Sequence, residues 1–467
     1  MLRSCSQNRP RTVGLTLTPR SRAGGNKLQC SVRQVHNPPP WRPAYSLDQW
    51  VAKEARPISL RQLMVFGRTL TEARLISSAN YVRTELPTRL AHRIRDMQTL
   101  PYVVVTNPHI SQVYELYYKA FESLRKVPEI KTLDDNGRFC EKVSHTLHEH
   151  LTVIPKLAMG VLECRNLMRP EDMDKFMNTI LRSRISRRVI AEQHLALTET
   201  FHSPYHFQDA QSREAEFVGE VLVKCNAKEV VTRCGHEVAA LASTAYGPFT
   251  KLPAINLSGH LTATFPYILS HIEYIIGELL RNSIQAIVEK QKITGYKGQP
   301  APIEVTICEA QQHVIIRVSD QGGGIPRDIL PHIWSFSKGP RSHELLENLE
   351  KVPKMAATLQ ELKNHNPEGT SSPSPHSALD PVTHAAAEKL GHHNAAVHES
   401  SLASLSSRPP NLRLGMGLPL SRVYAEYWAG SLELHSLEGY GVDAFLQISK
   451  LGNKNEQLTM RASMDAV

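Results

Sequence analysis

Glu278 and Asn282 stand four residues apart in HIEYIIGELLRNSIQAIVE, His271 to Glu289. On a helix that spacing projects both side chains from one face, one turn above the other. Around them Ile275, Leu279 and Ile287 mark an apolar stripe, with Ile276, Leu280 and Ile284 beside it. A carboxylate and an amide inside so greasy a helix cost several kcal/mol if left unpaired, so this face is expected to meet a ligand. The bland alternative is an ordinary amphipathic helix with a Glu and an Asn in solvent.

Two further stretches have related chemistry. In Asp320-Gln-Gly322-Gly323-Gly324-Ile325 a carboxylate ends a strand-like run and glycines follow. Glycine permits positive φ and close backbone approach to a flat or charged ligand. Asp320 can accept a hydrogen bond from an exocyclic amine such as the N6 of adenine. Gly415-Met416-Gly417-Leu418 opens a helical pattern, and the free N–H groups of a helix start bind phosphate. Asn282 offers a neutral oxygen to Mg²⁺, which otherwise keeps waters and phosphate oxygens. Either glycine stretch alone is an everyday turn. All three in this order, on a helix, a strand end and a helix start, describe a nucleotide pocket.

The elements that must position these residues follow from the rest of the chain. Its 467 residues suffice for two or three domains, and a 41% hydrophobic share is that of a globular protein. No run approaches the roughly 18 apolar residues of a membrane span. The net charge of +9 suggests nucleic acid, but residues 1–47 hold seven Arg, one Lys and no acidic residue. The rest of the chain is nearly neutral, so no nucleic-acid partner is expected. The basic, hydroxylated, acid-poor leader reads as a mitochondrial transit peptide ending in the Pro-rich linker HNPPPWRPAY. Seven scattered cysteines without a CxxC pair fit free thiols in a reducing compartment.

Residues 57–202 carry helical spacing with short connections and predict a bundle. Its helices are expected up to Arg83, from Glu85 to a stop at Pro101, over His109–Lys126, over Asn136–Met168 and over Glu171–His202. From Phe201 the texture changes. FVGEVLVKCNAKEVVTRCGHEVAALASTAY predicts a strand, a short helix and further strand-like runs. IEVTIC and HVIIRVSD alternate as paired strands, and SLELHSLEGYGVDAFLQI closes as a hairpin. Residues 342–411 lose periodicity, apart from a short helical run at Leu345–Leu362, and are rich in Ser, Pro and His, which predicts disorder. Residues 451–467 read as a flexible tail. The fold class is therefore α+β: a helical bundle over 48–205, then an α/β sandwich over 206–450 whose mixed sheet is covered by helices.

ELLRNSIQA, DQGGGI and GMGLPLSRVYAEYWAGSLEL resemble the N, G1 and G2 boxes of the GHKL ATP-binding superfamily. GLPLSRVYAEY is specifically similar to the mitochondrial 2-oxo-acid dehydrogenase kinases, which act on the pyruvate and branched-chain complexes. RTELPTRLAHRI and SRISRRVIAEQHLAL resemble the helical bundle of that family, and the similarity runs from Pro57 to Gln447 apart from the Ser-rich insertion. The resemblance implies a protein serine kinase of the mitochondrial matrix that phosphorylates and inactivates the E1 subunit of such a complex, docking its bundle on the lipoyl domain of E2. It implies ATP and Mg²⁺ as cofactors and a homodimer formed through the nucleotide domain. It casts Glu278 as general base and Asn282 as the Mg²⁺ ligand. Asp320 becomes the adenine acceptor, and Arg281, Gly322, Gly324, Ile325, Gly415, Met416, Gly417 and Leu418 become nucleotide-binding residues. Phosphoryl transfer asks for positioning and charge neutralisation more than covalent chemistry, in keeping with this set.

Some positions depart from the family pattern. Arg281 stands where the family has Lys and keeps the charge. Val442, in GYGVDAFL, replaces a Thr, a loss of about 1 kcal/mol for one hydrogen bond. The nucleotide lid between Ser337 and Gly415 carries an insertion of several dozen residues. The tail lacks the Asp-Trp pair of pyruvate-type members, and Tyr274 is what branched-chain-type members show, so both lean toward the branched-chain type. His150 matches a family His and reads as a packing residue rather than a phosphoacceptor; Arg184 and Arg187 match positions near the regulatory pocket of the bundle. Two other functions stand beside the serine kinase: a nucleotide-binding scaffold on the E2 core without phosphoryl transfer, and a protein histidine kinase.

Overall fold

The computed structural model describes residues 44–202, 217–296, 298–338 and 413–458, together with Leu345 and Asn348. The leader, most of the 342–411 insertion with its expected helix, and residues 459–467 lie outside the described residues.

The bundle comprises α1 (Ala44–Val51), α2 (Leu60–Arg68), α3 (Glu72–Gln98), α4 (Tyr102–Val105), α5 (Pro108–Arg125), α6 (Leu133–Glu149), α7 (Val153–Glu163) and α8 (Pro170–His202). Its helix starts are set by local chemistry. Ser59 with Gln62 and Thr132 with Asp135 form capping boxes, and Asn107 caps α5 just before Pro108. Two expectations need correction. The break expected between Arg83 and Glu85 is absent: α3 runs through it and through Pro87, because Leu86, Leu90, Ala91 and Ile94 are all buried and packing offsets the lost hydrogen bond. The single helix expected over Asn136–Met168 is interrupted by a 3-10 turn at His150–Thr152, which lets Pro155 fall in the first turn of α7, where a missing N–H is tolerated.

The second half contains β1 (Phe217–Val218), β2 (Val221–Asn226), α9 (Ala227–Tyr246), β3 (Ile255–Gly259), β4 (Thr264–Ile268), α10 (Leu269–Thr294), β5 (Ile303–Glu309), β6 (His313–Asp320), α11 (Gly417–Tyr427), β7 (Ser431–Leu437) and β8 (Gly441–Ser449). β1, β2 and β4 form a small antiparallel sheet. The larger sheet has the order β3-β5-β6-β8-β7 and is antiparallel except for the β3–β5 pair. This is the mixed sheet with covering helices that the sequence predicts. The short helix and further strand-like runs expected after the first strand are corrected: Ala227–Tyr246 is one helix, with Asn226 as N-cap and Val230, Val231, Cys234, Val238 and Ala242 buried at helical spacing.

α10 lies between α9 and α11 and against β6. It is buried more completely than an amphipathic stripe would be: Ile272, Tyr274, Ile275, Ile276, Leu279, Leu280, Ile284, Ile287 and Val288 are all enclosed. A helix apolar nearly all round is a central helix.

The flexible-tail expectation fails for residues 452–458. Gly452 O accepts from Arg61 N, Glu456 N donates to Ile58 O, and Gln457 N donates to Tyr427 O. The Glu456 side chain is fully enclosed and pairs with Arg89 at 2.9 Å. Among the described residues no helix is long and apolar enough to cross a membrane.

Candidate functional site

The site starts on α10. Glu278 is 1% exposed and Asn282 is half-buried one turn on. Arg281, 2% exposed, brings its Nε to 3.4 Å from Glu278 Oε1, so a buried cation stands beside the buried carboxylate.

Asp320, at the end of β6, lies alongside the same helix and is 6% exposed. Ser283 Oγ donates to its Oδ2 and Gly322 N–H to its Oδ1, each at 2.8 Å. Burial pushes the Asp320 carboxyl above its ordinary range, while the donors from Gly322, Ser283 and the Val442 backbone pull it back and Asp443 adds to the rise. Across the sheet Asp320 is in register with Val442 of β8.

The glycine turn after Asp320 packs directly on α10. A Cβ on Gly322 would sit 2.5 Å from Ala286 Cβ, and one on Gly324, whose φ is +76°, would meet Leu437 O at 2.3 Å. Only glycine fits both approaches. Gly323 N–H donates to Tyr440 O and Gly323 O accepts from Gly439 N–H, Ile325 N–H donates to Ser436 Oγ at 2.7 Å, and Lys290 Nζ donates to Gln321 O at 2.8 Å. The turn is thereby fastened to α10 on one side and to the β7–β8 hairpin on the other.

The third motif arrives with α11. Gly415 has φ +70°, Gly417 begins the helix, Met416 is buried and Leu418 half-buried. α11 packs along α10: the Tyr424 ring lies 4.7 Å from His271 and 5.7 Å from Tyr274. Arg413, just ahead of the turn, is ion-paired with Glu289 of α10. Helix, strand end and helix start thus converge on α10. The fit to a purine nucleotide is chemical: a buried acceptor, close-packed glycine turns and a helix start, all carried by elements packed on α10. Ser283, Lys290, Ser436 and Arg413 were not singled out from the sequence. The position of Ser283 immediately after Asn282 was the one signal that could have found it.

Of the remaining candidates, His150 is buried, with Nε2 3.3 Å from Leu116 O and its ring 5.4 Å from Tyr117. Burial, reinforced by the Arg187 charge, pushes it down to about 3, so it is a neutral ring. With Arg184, Arg187 and Arg188 it lines a cavity in the bundle, walled by Leu86 and Leu90.

Comparison with known proteins divides along the same line as the fold. Residues 57–222 match the model described as mitochondrial branched-chain alpha-ketoacid dehydrogenase kinase. Residues 268–351 match that of the histidine kinase-, DNA gyrase B- and HSP90-like ATPases. Pyruvate dehydrogenase (acetyl-transferring) kinase 2 of Saccharomyces cerevisiae is 32% identical, covering 89% of this chain and 86% of the yeast one. The Arabidopsis thaliana kinase of the same name is 29% identical over 88% of this chain and 95% of its own, and human isozyme 4 is 25% identical over 85% and 82%. The match with the yeast kinase runs through bundle and nucleotide domain alike, and the chain belongs to the mitochondrial pyruvate dehydrogenase kinase family, a family of ATP-using protein serine kinases.

Proposed function

We propose that this chain is a mitochondrial kinase that regulates the pyruvate dehydrogenase complex from the matrix, by phosphorylating a serine of its E1 subunit. The observation that carries the reading is Glu278, enclosed on a central helix one turn from Asn282. When bound, ATP supplies the transferable phosphoryl group and Mg²⁺ neutralises its charge. Asp320 accepts the N6 amine of adenine. The backbone of the Gly322–Gly324 and Gly415–Gly417 turns, with Ile325, Met416 and Leu418, encloses the nucleotide. Asn282 gives its amide oxygen to the metal. Glu278 takes the proton of the attacking serine hydroxyl, and Arg281 sets that carboxylate. The bundle docks on the lipoyl domain of E2, and two copies associate through the nucleotide domain.

The pyruvate complex is preferred over the branched-chain one because the curated relatives are named for it. Against it stand the branched-chain description matched by the bundle, Tyr274 and the missing Asp-Trp pair. Phosphate added to an E1 loop carries roughly −2 charge and disturbs its order, which accounts for inactivation.

The test is ³²P transfer from ATP to purified pyruvate and branched-chain E1, side by side. Glu278→Gln is expected to cut incorporation by roughly 10²–10⁴-fold with nucleotide binding retained. Undiminished labelling in that variant overturns the base assignment. Nucleotide binding without any label in the native chain favours the scaffold. Acid-labile phosphate on the chain itself favours a histidine kinase, a reading that the enclosed, neutral His150 disfavours.

A further inference from the structure

Asp320 is held on both carboxylate oxygens, and the two holds differ in origin. The Gly322 N–H on Oδ1 comes from Asp320's own turn, two residues on. The hydroxyl on Oδ2 comes from Ser283, on the helix that carries Glu278 and Asn282. Both side chains are enclosed, Ser283 at 5% and Asp320 at 6% exposure. Val442, in register with Asp320 on the neighbouring strand, adds a backbone donor but has no hydroxyl to offer.

We propose that Ser283 is a positioning residue for nucleotide selection: its hydroxyl orients the Asp320 carboxylate so that a free lone pair meets the exocyclic amine of adenine. A carboxylate has about four acceptor sites, and the donors from Ser283, Gly322 and the Val442 backbone leave one for a ligand. The Cβ–Cγ torsion of Asp is broad and nearly two-fold, so a carboxylate held through one oxygen alone is poorly aimed. Two donors on different oxygens define its plane. The donor on Oδ2 also ties the base-binding end of the pocket to the residue that follows Asn282. The position of the purine is thereby referred to the helix that holds the metal ligand and the base.

The inference rests on the reading of Asp320 as adenine acceptor, and the test separates the two. ADP and inosine diphosphate differ in one substituent, an amine against an oxo group, and their dissociation constants are measured by calorimetry on the full chain. Ser283→Ala is expected to weaken ADP roughly 10-fold and to leave inosine diphosphate within about 2-fold, so the preference for the amine collapses. Ser283→Thr, which keeps the hydroxyl, is expected to restore most of that preference. In ³²P transfer to E1 the Ser283→Ala change is expected to fall on the KM for ATP, with kcat within about 3-fold. Equal weakening of both nucleotides, no weakening of ADP, or failure of Thr to rescue overturns the proposal. Asp320→Asn is the control. If it weakens ADP while Ser283→Ala does not, only the role of Ser283 falls. If Asp320→Asn also leaves ADP untouched, the adenine reading falls with it.

Discussion

Glu456 and Asp320 are both enclosed carboxylates, and they are satisfied in opposite ways. Glu456 meets a cation: Arg89 at 2.9 Å, with the Tyr427 hydroxyl and the Ile58 N–H as further donors. Arg89 in turn pairs with Glu85 at 3.1 Å and donates to Arg56 O. Burial works against the Arg89 charge, but Glu456 and its other anionic neighbours more than offset it and hold the guanidinium above its ordinary range. Asp320 receives only neutral donors, from Ser283, Gly322 and the Val442 backbone, and burial leaves its carboxyl raised. The difference separates a joint from a pocket. Glu456, held by a cation and two further donors, is committed, and it fastens residues 452–458 to the bundle and to α11. A carboxylate held only by neutral groups keeps an unneutralised charge and an unused lone pair, which suit a ligand that brings its own donor.

The largest effect is expected at the joint. Arg89→Met leaves Glu456 buried without its cation, while Glu85 keeps Arg56 at 2.7 Å, and should cost about 3–5 kcal/mol in denaturant unfolding. Combining it with Glu456→Gln should recover part of that loss, because the two positions are coupled. A loss under about 1 kcal/mol would mean that the joint is not an ion-pair joint.

Asp320→Asn should do the reverse, weakening ADP by roughly 10–100-fold while the unfolding midpoint of the nucleotide-free protein holds or rises. The sign follows from the raised carboxyl. Its folded pKa lies above the unfolded value, so ionisation favours the unfolded chain, and this group's contribution to stability declines as pH rises through the folded pKa. Nucleotide binding runs the other way: acidification neutralises the acceptor, so ADP affinity should begin to fall above the ordinary Asp range of about 4. In Asp320→Asn that pH dependence should vanish; if it persists unchanged, another group is responsible. The smallest effect belongs to Val442→Thr. It places a hydroxyl beside Asp320 and should tighten ADP by about 1 kcal/mol, roughly 5-fold, in calorimetry. No gain would indicate that Ser283 already meets the need.

Much of the nucleotide half was legible in the sequence because its signals are local. The spacing of Glu278 and Asn282, the strand alternation ending at Asp320 and the glycine turns are each written within a few residues, and each lies on the element expected for it. The errors arose where a local signal competed with packing. Glu85 reads as the start of a new helix, yet α3 runs through it because its flanking residues are buried; the helix after β2 reads as short, yet the one that Asn226 caps runs to Tyr246. Residues 452–458 read as a loose tail because a polar stretch shows no period, and nothing near Glu456 announces Arg89.

The sequence alone determined on which helix face, strand end and helix start the candidate side chains stand and in what order they occur, since helix faces, turns and caps depend on neighbours a few residues apart. Tertiary structure alone decided that α10 is enclosed nearly all round, that Ser283 reaches Asp320 across 37 residues, and that Glu456 closes on Arg89. Such pairings depend on which buried donor finds which buried acceptor once the core has formed, and residue spacing does not encode that choice.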